Sequence, residues 1–277
     1  MTLSLSARQL RDLIQAGKRI LVLDARWSMD HSAYDLFTMA HIPLAMYCDP
    51  EFDLAGIPDR AAGRNPLPDI GQIRRAVRRW GLKKGDAVVV YDGGSGLFSA
   101  RAWWILRWAG VDDVRILDGG LPAWEKEGFE VAGGPGGLRQ AGNLEVTVGN
   151  MPTVEADEVA AWPEHGILVD AREPSRFEGV RERLDLQAGH IPGAVNIPVK
   201  PLNADGAMSS PEEIRAVLAQ HGIDDGSKVA VYSGSGLHSA LFIAAMHHAG
   251  LLGASLFVGG WSMWAGDPKR PIVRRGA

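Results

Sequence analysis

The feature that most constrains this 277-residue chain is that it repeats itself. Asp24-Ala-Arg26 recurs as Asp170-Ala-Arg172, His41-Ile-Pro43 as His190-Ile-Pro192, and Val90-Tyr91 as Val231-Tyr232. Ser95-Gly-Leu97, Ser99-Ala100, Gly119-Gly120 and Trp124 return as Ser235-Gly-Leu237, Ser239-Ala240, Gly259-Gly260 and Trp264. The displacement stays between 140 and 149 residues, far longer than the roughly 20–50 residues of a solenoid repeat. Landmarks kept in one order imply two homologous domains. Ala132-Gly-Gly-Pro-Gly-Gly137 has no periodicity and reads as a flexible break. We therefore expect a first domain over residues 1–135, a linker over 136–150 and a second domain over 151–277.

Each half alternates strands with helices. Ser6–Ile14 has helical apolar spacing with Ser6 as N-cap, Ile20–Leu23 is an uninterrupted apolar strand, and Ile70–Trp80 is a helix. Ala87–Tyr91 and Val114–Leu117 are strands flanking a helix at Ala100–Ala109. The second half repeats the order at Glu155–Trp162, Ile167–Asp170, Pro211–Gln220, Val229–Tyr232, Leu237–Ala249 and Ala254–Val258. This pattern predicts an α/β fold class in which each domain has a mostly parallel central sheet with helices on both faces. Ligands of such sheets bind at the carboxyl ends of the strands. Trp103, Trp104, Trp124, Trp261 and Trp264 read as packing residues, and Lys269-Arg-Pro-Ile-Val-Arg-Arg275 as a solvated, partly disordered end.

Composition excludes several functions. With 29 basic and 33 acidic side chains the net charge is −4, so nothing argues for nucleic acid. No apolar run approaches the roughly 20 residues of a membrane span, and the N-terminus lacks the pattern of a signal peptide. The single cysteine, Cys48, leaves no intrachain disulfide and no Cys-rich metal site, which points to the cytoplasm. The adjacent pair His247-His248 points in different directions on a helix, so we expect no metal and no cofactor.

The chemistry concentrates in Val229-Ala-Val-Tyr-Ser-Gly-Ser-Gly-Leu-His-Ser-Ala240, a buried strand, a small-residue loop and a helix start. Such a loop turns backbone N–H groups inward at a helix N-terminus, where roughly half a positive charge resides. The cup suits an anion, and Ser233 stands at its mouth, where a nucleophile would sit. The first-half counterpart, Asp92-Gly-Gly-Ser-Gly-Leu97, carries an aspartate and one extra residue, which makes it a poor anion site.

Together with Gly193-Ala-Val-Asn-Ile-Pro198, Gly63-Arg-Asn-Pro-Leu-Pro68, Ala100-Arg-Ala-Trp-Trp104 and Leu117-Asp-Gly-Gly-Leu121, these motifs make the chain resemble the tandem rhodanese-like sulfurtransferases over nearly its whole length. The resemblance implies two rhodanese-like domains, the first catalytically silent but contributing side chains to the site. It implies transfer of a sulfane sulfur from 3-mercaptopyruvate or thiosulfate to cyanide or a thiol, through a persulfide on a loop cysteine. A thiolate at a helix N-terminus is both depressed in pKa and strongly nucleophilic. By position Ser233 stands where that cysteine would be, with Gly234, Ser235, Gly236, Leu237 and His238 completing the loop. Ser235 would hydrogen-bond the nucleophile or donor, as in the mercaptopyruvate branch. Arg176 and Arg183 match arginines that hold the donor's carboxylate, His41 matches a histidine assigned to proton transfer, and Asp30 would orient it. The partners so implied are small molecules, with no nucleic acid or membrane, and the protein is expected to be a monomer or homodimer.

Two departures stand out. The family's His-Ile-Pro-Gly-Ala reads His41-Ile-Pro-Leu-Ala45, and serine replaces cysteine at 233. A serine hydroxyl is un-ionised at neutral pH and forms no persulfide. Three readings stay open: an engineered exchange, a natural member with lost or altered chemistry, and a serine nucleophile, for which no His–carboxylate pair is evident. The alternative to an enzyme is a non-catalytic anion- or persulfide-binding module. A phosphatase is disfavoured, since that loop needs a cysteine and a closing arginine and position 239 is serine.

Overall fold

The computed structural model describes residues 3–274. The chain forms two compact units, and neither is one continuous stretch. The first holds residues up to 55, 68–150 and 204–208; the second holds 56–67, 151–203 and 209 onward.

In the first unit the elements are β1 (Ser4–Leu5), α1 (Ala7–Gln15), β2 (Ile20–Asp24), α2 (Ala33–Met39), β3 (Met46–Tyr47), α3 (Ile70–Arg79), β4 (Ala87–Tyr91), α4 (Leu97–Trp108), β5 (Val114–Leu117) and α5 (Gly120–Lys126). Its parallel sheet runs β1-β5-β4-β2-β3. The central strands are apolar throughout because both faces are covered. Ser6 and Asp69 open α1 and α3 with capping boxes closed by Gln9 and Gln72. From Ser99 to Leu106, α4 is buried on all sides, which suits its near-continuous apolar sequence. It begins at Leu97, earlier than its apolar run suggests, because Gly96 takes the left-handed N-cap conformation (φ 76°).

The second unit adds α6 (Ala156–Ala161), β6 (Ile167–Asp170), α7 (Pro174–Phe177), β7 (Val195–Asn196), α8 (Pro211–Ala219), β10 (Val229–Tyr232), α9 (Leu237–His248), β11 (Ser255–Leu256) and α10 (Gly260–Trp264). A small hairpin, β8 (Asn203–Ala204) and β9 (Ala207–Met208), interrupts it, and residues 204–208 are those assigned to the first unit. The parallel sheet runs β11-β10-β6-β7, with a parallel bridge from Thr153 to Leu256 at the place β1 takes in the first unit. The two sheets therefore share one strand order.

The repeated motifs form one structural device in each unit. Asp24 pairs in register with Tyr91, and Asp170 with Tyr232. Tyr91 donates to Asp24 (2.5 Å) and accepts the Ile42 N–H (3.1 Å), and Tyr232 accepts the Ile191 N–H (3.1 Å). Arg26 pairs with Asp24 and donates to the Ala40 carbonyl (2.6 Å); Arg172 pairs with Asp170 and donates to the Gly189 carbonyl (2.7 Å). Asp-Ala-Arg thus ties the central strand to the residue before each His-Ile-Pro turn. Buried ions so paired cost little, whereas removing one partner costs several kcal/mol.

Residues 136–150 lie along the first unit without regular structure. Gly137 donates to the Ala45 carbonyl (2.8 Å), Gly142 to that of Arg78 (2.9 Å), and Leu144 to that of Leu82 (3.1 Å). The five tryptophans are buried, none above 3% exposed. The basic end departs from its expected disorder. His190 and Val273 exchange both backbone hydrogen bonds, Trp264 donates to the Pro271 carbonyl (3.0 Å), and Arg270 lies over the Trp264 ring. Aromatic packing and strand-like pairing hold it through Arg274; Arg275 lies outside the described residues.

Candidate active site

The loop after β10 is held from several sides within the second unit. Trp261 and Ser262 donate backbone N–H groups to the Ser233 and Gly234 carbonyls (2.7 and 3.0 Å), and Asn65 donates to the Ser235 carbonyl (3.1 Å). Gly260 (φ 56°) is required here, since a Cβ would lie 2.5 Å from the Ser233 carbonyl oxygen. Gly236 is the left-handed N-cap of α9 (φ 87°). Ser233 is fully buried; its Oγ accepts the Gly236 N–H (3.2 Å) and shares a hydrogen bond with Ser239 Oγ (3.1 Å). The first turn of α9 leaves N–H groups with no intrahelical acceptor beside it.

The first unit shows what this architecture attracts. Asp92 is buried at the corresponding place, and its own carboxylate fills the cup. Oδ1 accepts the N–H groups of Gly94 (2.8 Å) and Gly96 (3.1 Å). Oδ2 accepts those of Phe98 (3.1 Å) and Ser99 (3.3 Å) and the Ser95 hydroxyl (3.1 Å). The loop that looked poor as an anion site is one already occupied by its own anion. Serine is shorter and uncharged, so the second cup carries no such plug.

Arg176 on α7 reaches Gly234. A Cβ built there would lie 2.9 Å from Arg64 Nη2 and 3.2 Å from Arg176 Nη1. Arg176 is clamped by Glu182 (2.8 Å) and by Asp185 Oδ2 (3.1 Å), while Arg64 pairs with Asp185 Oδ1. Burial raises Asp185, and the Arg64 charge offsets this only in part. For Glu182 burial acts in the same sense, but the Leu184 N–H and Arg176 outweigh it and hold the group below its usual range. His238 is pushed below 6.5, chiefly by burial and then by the Arg176 charge, so it is neutral at pH 7.

The loop residues and Arg176 therefore come together, and three other expected residues have different surroundings. Arg183 lines a cavity of about 290 Å³ with Arg176 but is exposed, and it is not among the groups nearest Gly234. The hydroxyl bonded to Ser233 is that of Ser239, not Ser235. His41 lies in the first unit, where Nδ1 meets the Phe37 carbonyl (2.8 Å) and the ring stacks on Phe37 (4.2 Å). His190 repeats this with Phe177 (2.8 Å; 3.7 Å). Asp30 is exposed, and the group orienting His41 is the Phe37 carbonyl. Sequence reasoning missed Arg64, Asn65, Glu182, Asp185 and Ser239. Ser239 carried a signal as a repeated position, and Arg64 and Asn65 carried one as part of Gly63-Arg-Asn-Pro-Leu-Pro68. Cys48 is fully buried in the first unit, where burial and the Asp53 charge push its thiol well up and leave it inert.

Fold and loop together define a tandem α/β protein with one loop filled by its own carboxylate and a second that carries a neutral serine there. Residues 6–127 and 155–267 both match the rhodanese-like domain, and the chain belongs to that family. It is 41% identical to the "Putative thiosulfate sulfurtransferase SseB" of Mycobacterium tuberculosis, over 98% of this chain and 96% of that protein. It is 36% identical to the "Probable 3-mercaptopyruvate sulfurtransferase" of Pseudomonas aeruginosa, over 92% of each. Among solved structures, the 3-mercaptopyruvate sulfurtransferase of Leishmania major superposes with a TM-score of 0.85 at 26% identity, covering 98% of this chain and 76% of that one.

Proposed function

We propose that the protein is a sulfurtransferase of the 3-mercaptopyruvate/thiosulfate type whose second unit is the working half, with position 233 as the point of sulfur transfer. The observation that carries this reading is the loop at the start of α9, whose position 233 holds no acid, set against the first unit's loop, which Asp92 fills. With a thiolate at 233, attack on the donor's sulfane sulfur forms an S–S bond and expels sulfite or the enolate of pyruvate. The persulfide then gives its outer sulfur to cyanide or a thiol and regenerates the thiolate. Backbone N–H groups of the loop stabilise the charge at each stage.

The serine of this chain retains donor binding and blocks the covalent step. Among the described residues Ser233 Oγ meets only a hydroxyl and an N–H, neither of which takes its proton. That same observation favours the second reading, a reversible anion- or persulfide-binding module. We read His41 as pinning its turn, because His190 repeats its contacts. We place the protein in the cytoplasm; no helix of the described residues is long and apolar enough to cross a membrane.

The test is the S233C variant assayed for sulfur release from 3-mercaptopyruvate and thiosulfate beside the unaltered protein. Activity confined to the variant supports the first reading. An inactive variant that still binds either donor leaves the binding module.

A further inference from the structure

The glycine-rich break that ends at Gly137 builds a feature that sulfur transfer does not use. β3 is the edge strand of the first unit's sheet, and residues 135–139 run beside it. Gly137 donates to the Ala45 carbonyl (2.8 Å), and a Cβ at Gly136 would lie only 2.6 Å from the Ala45 oxygen and from Phe37 Cζ. Between this segment, β3 and the end of α3 lies a cavity of about 620 Å³, a size typical of small-molecule sites. Tyr34, Tyr47, Phe52 and Leu138 supply its apolar walls. Tyr34 meets Tyr47 edge to face (5.4 Å), while Phe52 is 74% and Leu138 97% exposed. Large apolar side chains left bare together on a soluble domain mark a binding surface.

The charges around the cavity set the character of its ligand. Arg79 is paired with Asp53 (2.5 Å), whose Oδ2 also accepts the Asp49 N–H (2.8 Å). Asp49 Oδ1 accepts the N–H groups of Glu51 (2.9 Å) and Phe52 (3.2 Å). Arg139, which also borders the cavity, has no such partner among the described residues. Its Nη1 is buried without a hydrogen bond, and no carboxylate pairs with the guanidinium. An uncompensated, half-buried guanidinium costs stability unless an anion reaches it. We propose that this cavity is a second ligand site, made for a flat ring that carries a carboxylate or a phosphate. Tyr34, Tyr47 and Phe52 take the ring, and Arg139 takes the anion through charge-assisted hydrogen bonds. The site lies wholly within the first unit and shares no residue with the loop after β10, so it stands apart from the sulfurtransferase reading.

The experiment is calorimetric titration of the unaltered protein with 1-naphthoate and with adenosine 5′-monophosphate, and with 1-naphthalenemethanol as the uncharged control. At least one anion should bind. Naphthoate alone assigns a carboxylate ligand, the monophosphate alone a phosphate ligand, and both together the shared chemistry. R139M should weaken the anion about ten- to hundredfold, the loss expected for charge-assisted hydrogen bonds, and leave the alcohol unchanged. F52A, at an exposed position, should weaken anion and alcohol alike. Urea denaturation gives a readout that needs no ligand. R139M removes an orphaned N–H, so its midpoint should equal or exceed that of the parent, the pattern of a residue kept for binding at the expense of stability. The proposal is overturned if neither anion binds at millimolar concentration, if R139M binds the anions as the parent does, or if R139M lowers the urea midpoint as the loss of a structural ion pair would.

Discussion

Replacing Asp92 by alanine should unplug the first unit's cup and reveal it as an anion site. The side chain is 1% exposed and collects four backbone N–H groups and one hydroxyl. Of these donors, Gly96 and Ser99 are buried, and their N–H groups would lose an acceptor that water cannot readily replace. Each such orphan costs about 1–3 kcal/mol. Gly94, Ser95 and Phe98 reach solvent and recover most of their loss. The sum is a destabilisation of about 2–6 kcal/mol, or about 5–20 °C in the unfolding midpoint of a unit this size. The decisive assay is rescue. Formate reproduces the lost carboxylate, so thermal denaturation at fixed ionic strength should show it stabilising D92A far more than the parent, by about 2.7 kcal/mol at a hundredfold excess over Kd. Chloride at equal ionic strength controls for screening, and D92N, which keeps one acceptor oxygen, should fall between. A loss below about 1 kcal/mol, or equal formate effects on both proteins, would refute the idea that the cup's donors are held by this anion.

Two further outcomes follow from the same geometry. Leu44 adopts the left-handed conformation (φ 68°) with its side chain 62% exposed, so L44G should stabilise the first unit by about 0.5–1.5 kcal/mol in urea denaturation. Burial holds His238 below its ordinary 6.5, so the folded state resists its protonation. Its stabilising effect is whole above pH 6.5 and is lost as pH falls through the folded value. Urea midpoints measured from pH 7 to pH 5 should accordingly fall less for H238Q than for the parent.

Much of the fold was legible because the repeat and the apolar strands speak locally. Ile20–Leu23, Ala87–Tyr91 and Val229–Tyr232 stand where their uninterrupted apolar runs place them, and the short runs Val114–Leu117, broken by Arg115, and Ile167–Asp170, closed by Asp170, are strands as expected. The short elements, such as α2, α5 and α7, lack enough residues for a period to show. The site was legible where a contiguous loop carried it, from Ser233 to His238. Arg64 and Asn65 stand in the Gly63–Pro68 motif, but no local pattern records that they reach the second unit's loop from far away in the chain. Arg183 illustrates the converse. The family resemblance points to it as a donor-binding arginine; in the structure Asp185 and Glu182 turn the buried side of that segment toward Arg176 and Arg64, and Arg183 is exposed. The contacts that His41 shares with its duplicate His190, each stacked on a phenylalanine and bonded to its carbonyl, were not legible from either His-Ile-Pro turn alone.

The exchange of segments between the units has an evolutionary consequence. A duplicated domain normally remains a module that can be cut out, lost or recombined at its linker. Here residues 56–67 have become part of the second unit and residues 204–208 part of the first. No single cut in the chain yields both halves whole. A break near residue 150 would take Asn65 from the loop and Arg64 from Asp185. The ancestral copy could once have stood alone; with its descendants sharing parts, a crossover at the linker would strand each half without a piece of itself. Selection can therefore only keep or discard the pair, which is one reason a first copy whose loop is filled by Asp92 would persist beside a second copy whose loop is not.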